Sequence, residues 1–285
     1  MFKKLILILS FCFFFLELFA QEQYLEEIIV NGDFRNNEIR DVSSSISVLN
    51  EDDIDEHAIQ HFEELISILP NINWSGDGHR AKHLQIRGVG ELAEYQGAPN
   101  PSIGFMIDDI DFSGLGAVAT LFDIDRIEVF RGSQGLRFGA NALAGLIYMQ
   151  STLPNESFSG NAQLMLGSDN AQSAGLAFGG FLGDSSIGYR ISAHHFSSNG
   201  FRENTYLKQK NTNNREETSV RARLMWSWNE KWKFRLSSMF IDIDNGYDAF
   251  SLDNSFIVLS DNPGRDSQRS MGHSLKVEWN AHNAF

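Results

Sequence analysis

The sequence of 285 residues has a single cysteine, Cys12, and it lies within the first twenty residues. The rest of the chain therefore forms no disulfide and offers no thiol nucleophile. Phe11 stands before Cys12 where a lipoprotein processing site needs a small residue, so no lipid anchor is expected there. Beyond the N-terminus no uninterrupted apolar run approaches the length of a membrane-spanning helix. Basic charge is also scarce. Lys and Arg number 23 against 37 Asp and Glu, and no basic face of the kind nucleic acid requires can be found. The deficit is uneven: residues 21–154 carry 22 acids and 8 bases, whereas residues 155–285 carry 14 and 13. An acidic region precedes a near-neutral one.

Met1-Phe2-Lys3-Lys4, an apolar stretch from Leu5 to Phe19 and the small Ala20 have the order of a secretory signal peptide, residues 1–20. Residues 21–154 carry mixed patterns that suit a compact α+β domain. Strands are expected at Ser45–Leu49, His83–Arg87, Ile103–Asp109, Arg126–Phe130 and Gly145–Gln150. Asn50 followed by Glu51, Asp52 and Asp53 predicts a capped helix start with anions in its first turn. Phe62, Leu65, Ile66 and Leu69 recur at helical spacing and predict a second helix ending before Pro70.

After Pro154 the period becomes two. Thr218, Val220, Ala222, Leu224, Trp226 and Trp228 alternate with Glu217, Ser219, Arg221, Arg223 and Ser227. Asn229-Glu-Lys231 form a short turn, and Trp232, Phe234, Leu236 and Phe240 resume the apolar face. Further strands are expected near 160–168, 172–182, 186–197 and 271–281, with long polar segments at about 197–216 and 243–270. Short turns on one side and long loops on the other fit an outer-membrane barrel, with Trp226, Trp228 and Trp232 in an interfacial girdle. A soluble β-sandwich would give the same alternation; the signal peptide favours the membrane.

From about residue 25 onward the sequence resembles the TonB-dependent outer-membrane receptors. Leu25-Glu-Glu-Ile-Ile-Val-Asn-Gly32 resembles the TonB box, the segment that adds to TonB as a strand. Leu65-Ile-Ser-Ile-Leu-Pro70, Leu84-Gln-Ile-Arg-Gly88, Arg126-Ile-Glu-Val129, Arg131-Gly-Ser-Gln-Gly135 and Gly139-Ala-Asn-Ala-Leu-Ala-Gly145 follow the order of the family's plug motifs. The resemblance implies an α+β plug domain, residues 39–154, preceded by a TonB box and linker, 21–38. It further implies antiparallel transmembrane β-barrel strands over 155–285, about six of a 22-stranded barrel. A plug of this size could not sit inside a six-stranded ring, so the sequence is expected to be a piece of a longer receptor. Little chain separates the signal peptide from the TonB box, so no N-terminal signalling domain or glycan-import domain is expected between them.

By the same resemblance, Glu27, Ile28, Ile29 and Val30 would bind TonB, and Arg87, Glu128 and Arg131 would tie plug to barrel, the arginines through wall carboxylates. The loops carrying Trp74, His79, Arg80, Tyr95 and Gln96 would face the outer vestibule and touch substrate. Asp108, Asp109, Asp111, Asp123 and Asp125 lack calcium-loop spacing, and His79/His83 and His194/His195 lack a ligand set, so no metal is expected. No nucleotide fingerprint or serine triad is present, so neither a cofactor nor enzyme activity is expected. The expected function is TonB-dependent import of a scarce nutrient, most often a ferric siderophore in this family, across the outer membrane of a Gram-negative bacterium. The expected partners are TonB energised by ExbB and ExbD, the nutrient and outer-membrane lipid. The rival expectations are a passive pore and a secreted binding module.

Overall fold

A computed structural model describes residues 29–30, 37–39, 42, 44–57, 59–76, 80–92, 101–115, 120–183 and 185–280. The chain divides into two units, Met1–Val42 and Ser43–Phe285. In the first, β1 (Ile29–Val30) pairs antiparallel with β2 (Asn37–Glu38), Ile29 opposite Glu38 and Val30 opposite Asn37.

The second unit opens with β3 (Ser45–Asn50), which runs into α1 (Glu51–Glu56). Asn50 Oδ1 accepts from Asp53 N and Asp53 Oδ2 accepts from Asn50 N, each at 2.9 Å. This reciprocal cap satisfies two amides that the helix leaves open. The second predicted helix is shorter than expected. Only α2 (Phe62–Leu65) is regular, and the chain then tightens through Ile66 N→Glu63 O and Ile68 N→Leu65 O bonds before Pro70.

Then come β4 (Ile72–Ser75), β5 (His83–Ile86), β6 (Val89–Gly90), β7 (Ile103–Ile107), β8 (Ile110–Asp111), β9 (Ile124–Arg131), α3 (Gly135–Phe138) and β10 (Gly145–Ser151). The five expected strands are all present as β3, β5, β7, β9 and β10. One expected strand ends early: Asp108 and Asp109 turn to positive φ, 50° and 65°, and link β7 to β8 as a two-residue hairpin. Aspartate tolerates this left-handed region, and both carboxylates accept bonds from β10, Asp108 from Ser151 and Asp109 from the Tyr148 hydroxyl at 2.9 Å. The main sheet has the order β3-β9-β10-β7-β8, with β10 parallel to β7 and antiparallel to β9; β4, β5 and β6 form a smaller sheet.

A six-stranded antiparallel wall follows, in the order β11 (Ser159–Leu166), β12 (Gln172–Phe181), β13 (Ile187–Ser198), β16 (Arg215–Ser227), β17 (Trp232–Tyr247) and β19 (Gly264–Trp279). The long connections are not the structureless segments expected. They contain β14 (Arg202–Asn204), β15 (Gln209–Thr212) and β18 (Ile257–Val258), joined in a three-stranded sheet. β19 also begins seven residues before its expected start, because both faces of its first turns are polar and no apolar alternation marks them.

The wall has one mainly apolar outward face. Register aligns Ile187, Trp226, Phe234 and Val277, then Tyr189, Leu224, Leu236 and Leu275, then Ile191, Ala222, Ser238 and His273, whose two polar side chains hydrogen-bond each other at 2.9 Å, and further up Ala193, Val220, Phe240 and Met271. One rung beyond, the same face becomes His195, Thr218, Asp242 and Arg269. Such a band with an abrupt charged edge is what lipid imposes on a barrel wall. At its other end Trp232 stacks on Trp279 at 6.0 Å and Trp226 on Phe234 at 5.4 Å. The turn there is fixed by Asn229 Oδ1, which accepts from Lys231 N and Trp232 N, both at 2.9 Å.

The inward face of β17 completes the core of the α+β domain, where Met239, Ile241 and Ile243 join Phe62, Phe105, Ile107 and Ile124. On β12, Gly175 lets the Phe122 ring approach so closely that a Cβ would stand 2.7 Å from it. Gly175→Leu is expected to weaken the seating of the domain by about 1–3 kcal/mol through overpacking. The check is the protease concentration that clips the α+β domain; an unchanged threshold would mean that Phe122 does not bear on this strand.

Candidate functional site

The seam between the α+β domain and the wall is lined by buried ion pairs. Arg190 on β13 and Arg223 on β16 are opposite one another in register and both face inward. Arg190 grips Asp123, with Nε 3.0 Å from Oδ1 and Nη2 2.5 Å from the same oxygen. Arg223 Nη1 lies 3.1 Å from Asp108 Oδ1 and donates to Ser151 O at 2.5 Å. Arg221 donates to the Phe122 carbonyl and, at 3.3 Å, to Ser192 Oγ. Asp108 also accepts from Ser151 N and Ser151 Oγ, at 2.9 and 2.6 Å, so its carboxylate is held from both sides. Both aspartates sit in left-handed turns, Asp123 at φ 60°, which project them from the sheet edge toward the wall.

A second knot has the opposite polarity. Arg80, only 4% exposed and placed between β4 and β5, donates through Nε to Glu217 Oε1 at 2.8 Å and through Nη2 to Oε2. Its Nη1 lies 3.4 Å from Glu63 Oε2, while Glu63 Oε1 accepts from Ala81 N at 2.9 Å. Glu217 takes a further bond from Asn245 Nδ2 at 2.8 Å and lies 3.3 Å from His61 Nε2. Burial alone would favour a neutral Arg80; the carboxylates of Glu217 and Glu63 overcome it and hold the guanidinium charged, its pKa above the ordinary value. The inward face of the wall is thus joined to the α+β domain by buried ion pairs, while its outward face is mainly apolar.

A family model described as the TonB-dependent receptor plug domain matches residues 38–146. These residues are a plug domain of the TonB-dependent receptors. The chain's place is the outer membrane of a Gram-negative bacterium. The vitamin B12 transporter BtuB of Photobacterium profundum is 24% identical over 232 residues, 80% of this chain and 37% of the relative. The ferrichrome outer membrane transporter/phage receptor of Escherichia coli is 24% identical over 205 residues, 71% of this chain and 26% of its own length. The crystal structure of the ferric yersiniabactin uptake receptor FyuA from Yersinia pestis aligns with a TM-score of 0.72 at 15% identity, over 84% of this chain and 39% of that one. The chain thus spans 26–39% of the length of these relatives, and its wall is the matching part of their barrels, open at β11 and β19.

The structure distributes the expected receptor residues widely. Ile29 and Val30 of the TonB-box segment form β1; Glu27 and Ile28 lie outside the described residues. Arg87 and Arg131 are brought together, but inside the plug. Arg87 Nη2 donates to Ser45 Oγ at 3.0 Å, and Arg131 donates to Ser47 Oγ at 2.8 Å and Pro70 O at 3.3 Å. Burial, and then the charge of Arg87, push the Arg131 pKa below its ordinary value. Among the described residues the buried plug–wall ion pairs run instead through Arg80, Arg190 and Arg223, with longer, more exposed ones at Lys82–Asp266, 3.5 Å, and Lys276–Asp109, 3.9 Å. Glu128 is buried on β9 between Val48 and Tyr148. Trp74 is 39% exposed on β4, as a ligand contact would be. Arg80 is not exposed as expected, because Glu217 draws it into the seam. His79, Tyr95 and Gln96 lie outside the described residues. The wall residues Arg221, Arg223 and Glu217 were marked in the sequence only as one polar face of a strand, with no partner assigned, and Arg190 was not singled out.

Proposed function

We propose that this chain is the plug and opening barrel wall of a receptor that actively imports a scarce, large nutrient, a ferric siderophore before other candidates. The observation that carries the proposal is the seam itself. A plug packed on the wall through buried, hydrogen-bonded ion pairs blocks passive flow, yet such contacts can be broken by an applied force. In this mechanism the nutrient binds above the plug, around Trp74 and the neighbouring loops. TonB, energised by ExbB and ExbD, captures Glu27–Val30 as an added strand and pulls. Arg87 and Arg131, two adjacent cations, are assigned to wall carboxylates that complete the seam. Relatives named for ferrichrome, ferripyoverdine and ferric yersiniabactin favour an iron chelate, while those named for vitamin B12 supply the alternative.

The test is transport by the receptor in iron-starved cells given radiolabelled ferric hydroxamate, ferric catecholate or cyanocobalamin. Accumulation of an iron chelate that disappears in cells lacking TonB is the expected result. Accumulation of cyanocobalamin alone would replace the substrate class, and uptake independent of TonB would favour the passive pore.

A further inference from the structure

The two long connections of the wall form a preformed recess, and its chemistry is unlike that of the plug seam. β14 pairs antiparallel with β15 and parallel with β18, so the connection after β13 is stitched to the connection after β17. The stitch is a buried amide. Asn204, 0% exposed, donates to Asp248 Oδ2 at 3.0 Å and to Ser260 O at 2.9 Å, and its Oδ1 accepts from Leu207 N at 2.9 Å. Asn213 Oδ1 accepts from Asp248 N at 2.8 Å. Both connections are thereby fixed before any ligand arrives, which lowers the entropy cost of binding.

Beside this stitch lies a recess of about 470 Å3, within the range of small-molecule sites. Among the described residues its lining includes none from the plug. Its lining includes the exposed side chains of Gln209, Asn211 and Asn214, which make no side-chain hydrogen bond among the described residues. Each amide presents two donors and an acceptor in one plane. A pair of adjacent hydroxyls, each able to give and take a hydrogen bond, matches that arrangement. Tyr247, packed edge-on against Phe250 at 5.7 Å, and Pro263 supply flat apolar surface for the C–H face of a ring. The Asp248 carboxylate is already engaged by Asn204 and Ser260, which leaves Lys210 as the one uncommitted charge among the described residues of the lining.

We infer that this recess is a second binding site of the receptor, separate from the import path, and that it takes a neutral hexose-type sugar. The sugar could be free in solution or a unit of a surface polysaccharide. Saturation-transfer NMR on the intact receptor, in micelles of a sugar-free detergent, tests the inference. The probes are the methyl glycosides of glucose, galactose and mannose, N-acetylglucosamine, and linear oligosaccharides of the same sugars. Transfer to at least one neutral probe is expected, with Asn211→Ala and Asn214→Ala each weakening it by up to about tenfold, the loss of one hydrogen bond. Leu252→Ser, in the same connections but outside the recess, should leave it unchanged. Stronger transfer to oligosaccharides identifies a polysaccharide source, and equal or stronger transfer to monosaccharides a free sugar. Absence of transfer, transfer indifferent to both asparagine variants, or binding confined to sugar acids and lost in Lys210→Gln would overturn the inference.

Discussion

Glu217→Ala should loosen the plug more than any other single change on the wall. The substitution removes the carboxylate that compensates Arg80 while leaving the guanidinium buried, a situation that costs about 3–5 kcal/mol. Glu63 remains near Arg80, at 3.4 Å, and would recover only part of that loss. Asn245 and His61 lose a partner at the same time, so the damage extends to β17 and to the start of α2. Thermal unfolding of the receptor and hydrogen exchange at β4 and β5 measure the effect, with exchange rising first in that hairpin. The decisive comparison is the double variant Arg80→Met with Glu217→Met. Replacing both charges by apolar side chains of similar length removes the uncompensated guanidinium, leaves only Asn245, His61 and Glu63 short of a partner, and should restore much of the stability. A double variant as weak as Glu217→Ala would show that the ion pair is not what holds the hairpin to the wall.

The ease with which each part was legible in the sequence follows from how local its cause is. Lipid imposes a period of two on the outward face, so Val220, Ala222, Leu224 and Trp226 marked their strand without reference to any partner. The Asn50 cap was equally local, since its two bonds join residues three apart. The upper halves of β17 and β19 were hidden because the apolar phase reverses there. Phe240 faces lipid, whereas Ile241 and Ile243 turn inward to the plug core and leave Asp242 and Asp244 outside. The seam was the least legible part. A lumen-facing arginine alternates like a solvent-facing one, and only its partner tells them apart, 67 residues away for Arg190 and Asp123 and 137 for Arg80 and Glu217. One signal did point to it: an acidic first region followed by strands with arginines on a single face. Arg80 was misplaced for a related reason. It was read with its neighbours as part of a substrate-facing loop, and nothing in those neighbours announces that Glu217 pulls it under.

Ile29→Pro should abolish uptake to the level of cells lacking TonB, while the receptor still binds its nutrient at the cell surface. Strand addition is held by backbone hydrogen bonds, and its grip depends little on which side chains lie along it. Proline removes one amide donor from the middle of Glu27–Val30 and fixes φ near −65°, away from the extended values a strand needs. Ile29 and Val30 already adopt strand geometry opposite Glu38 and Asn37, so these residues carry the conformation that an added strand requires. The plug seam lies in residues 61–223 and should be untouched, which is why binding is expected to survive. Val30→Thr is the matched control: it keeps the amide and the β-branched shape, and uptake should remain near the wild-type level. Uptake that persists in Ile29→Pro would remove TonB capture from this segment. Loss of surface binding as well would point to a folding defect and return the question to the plug.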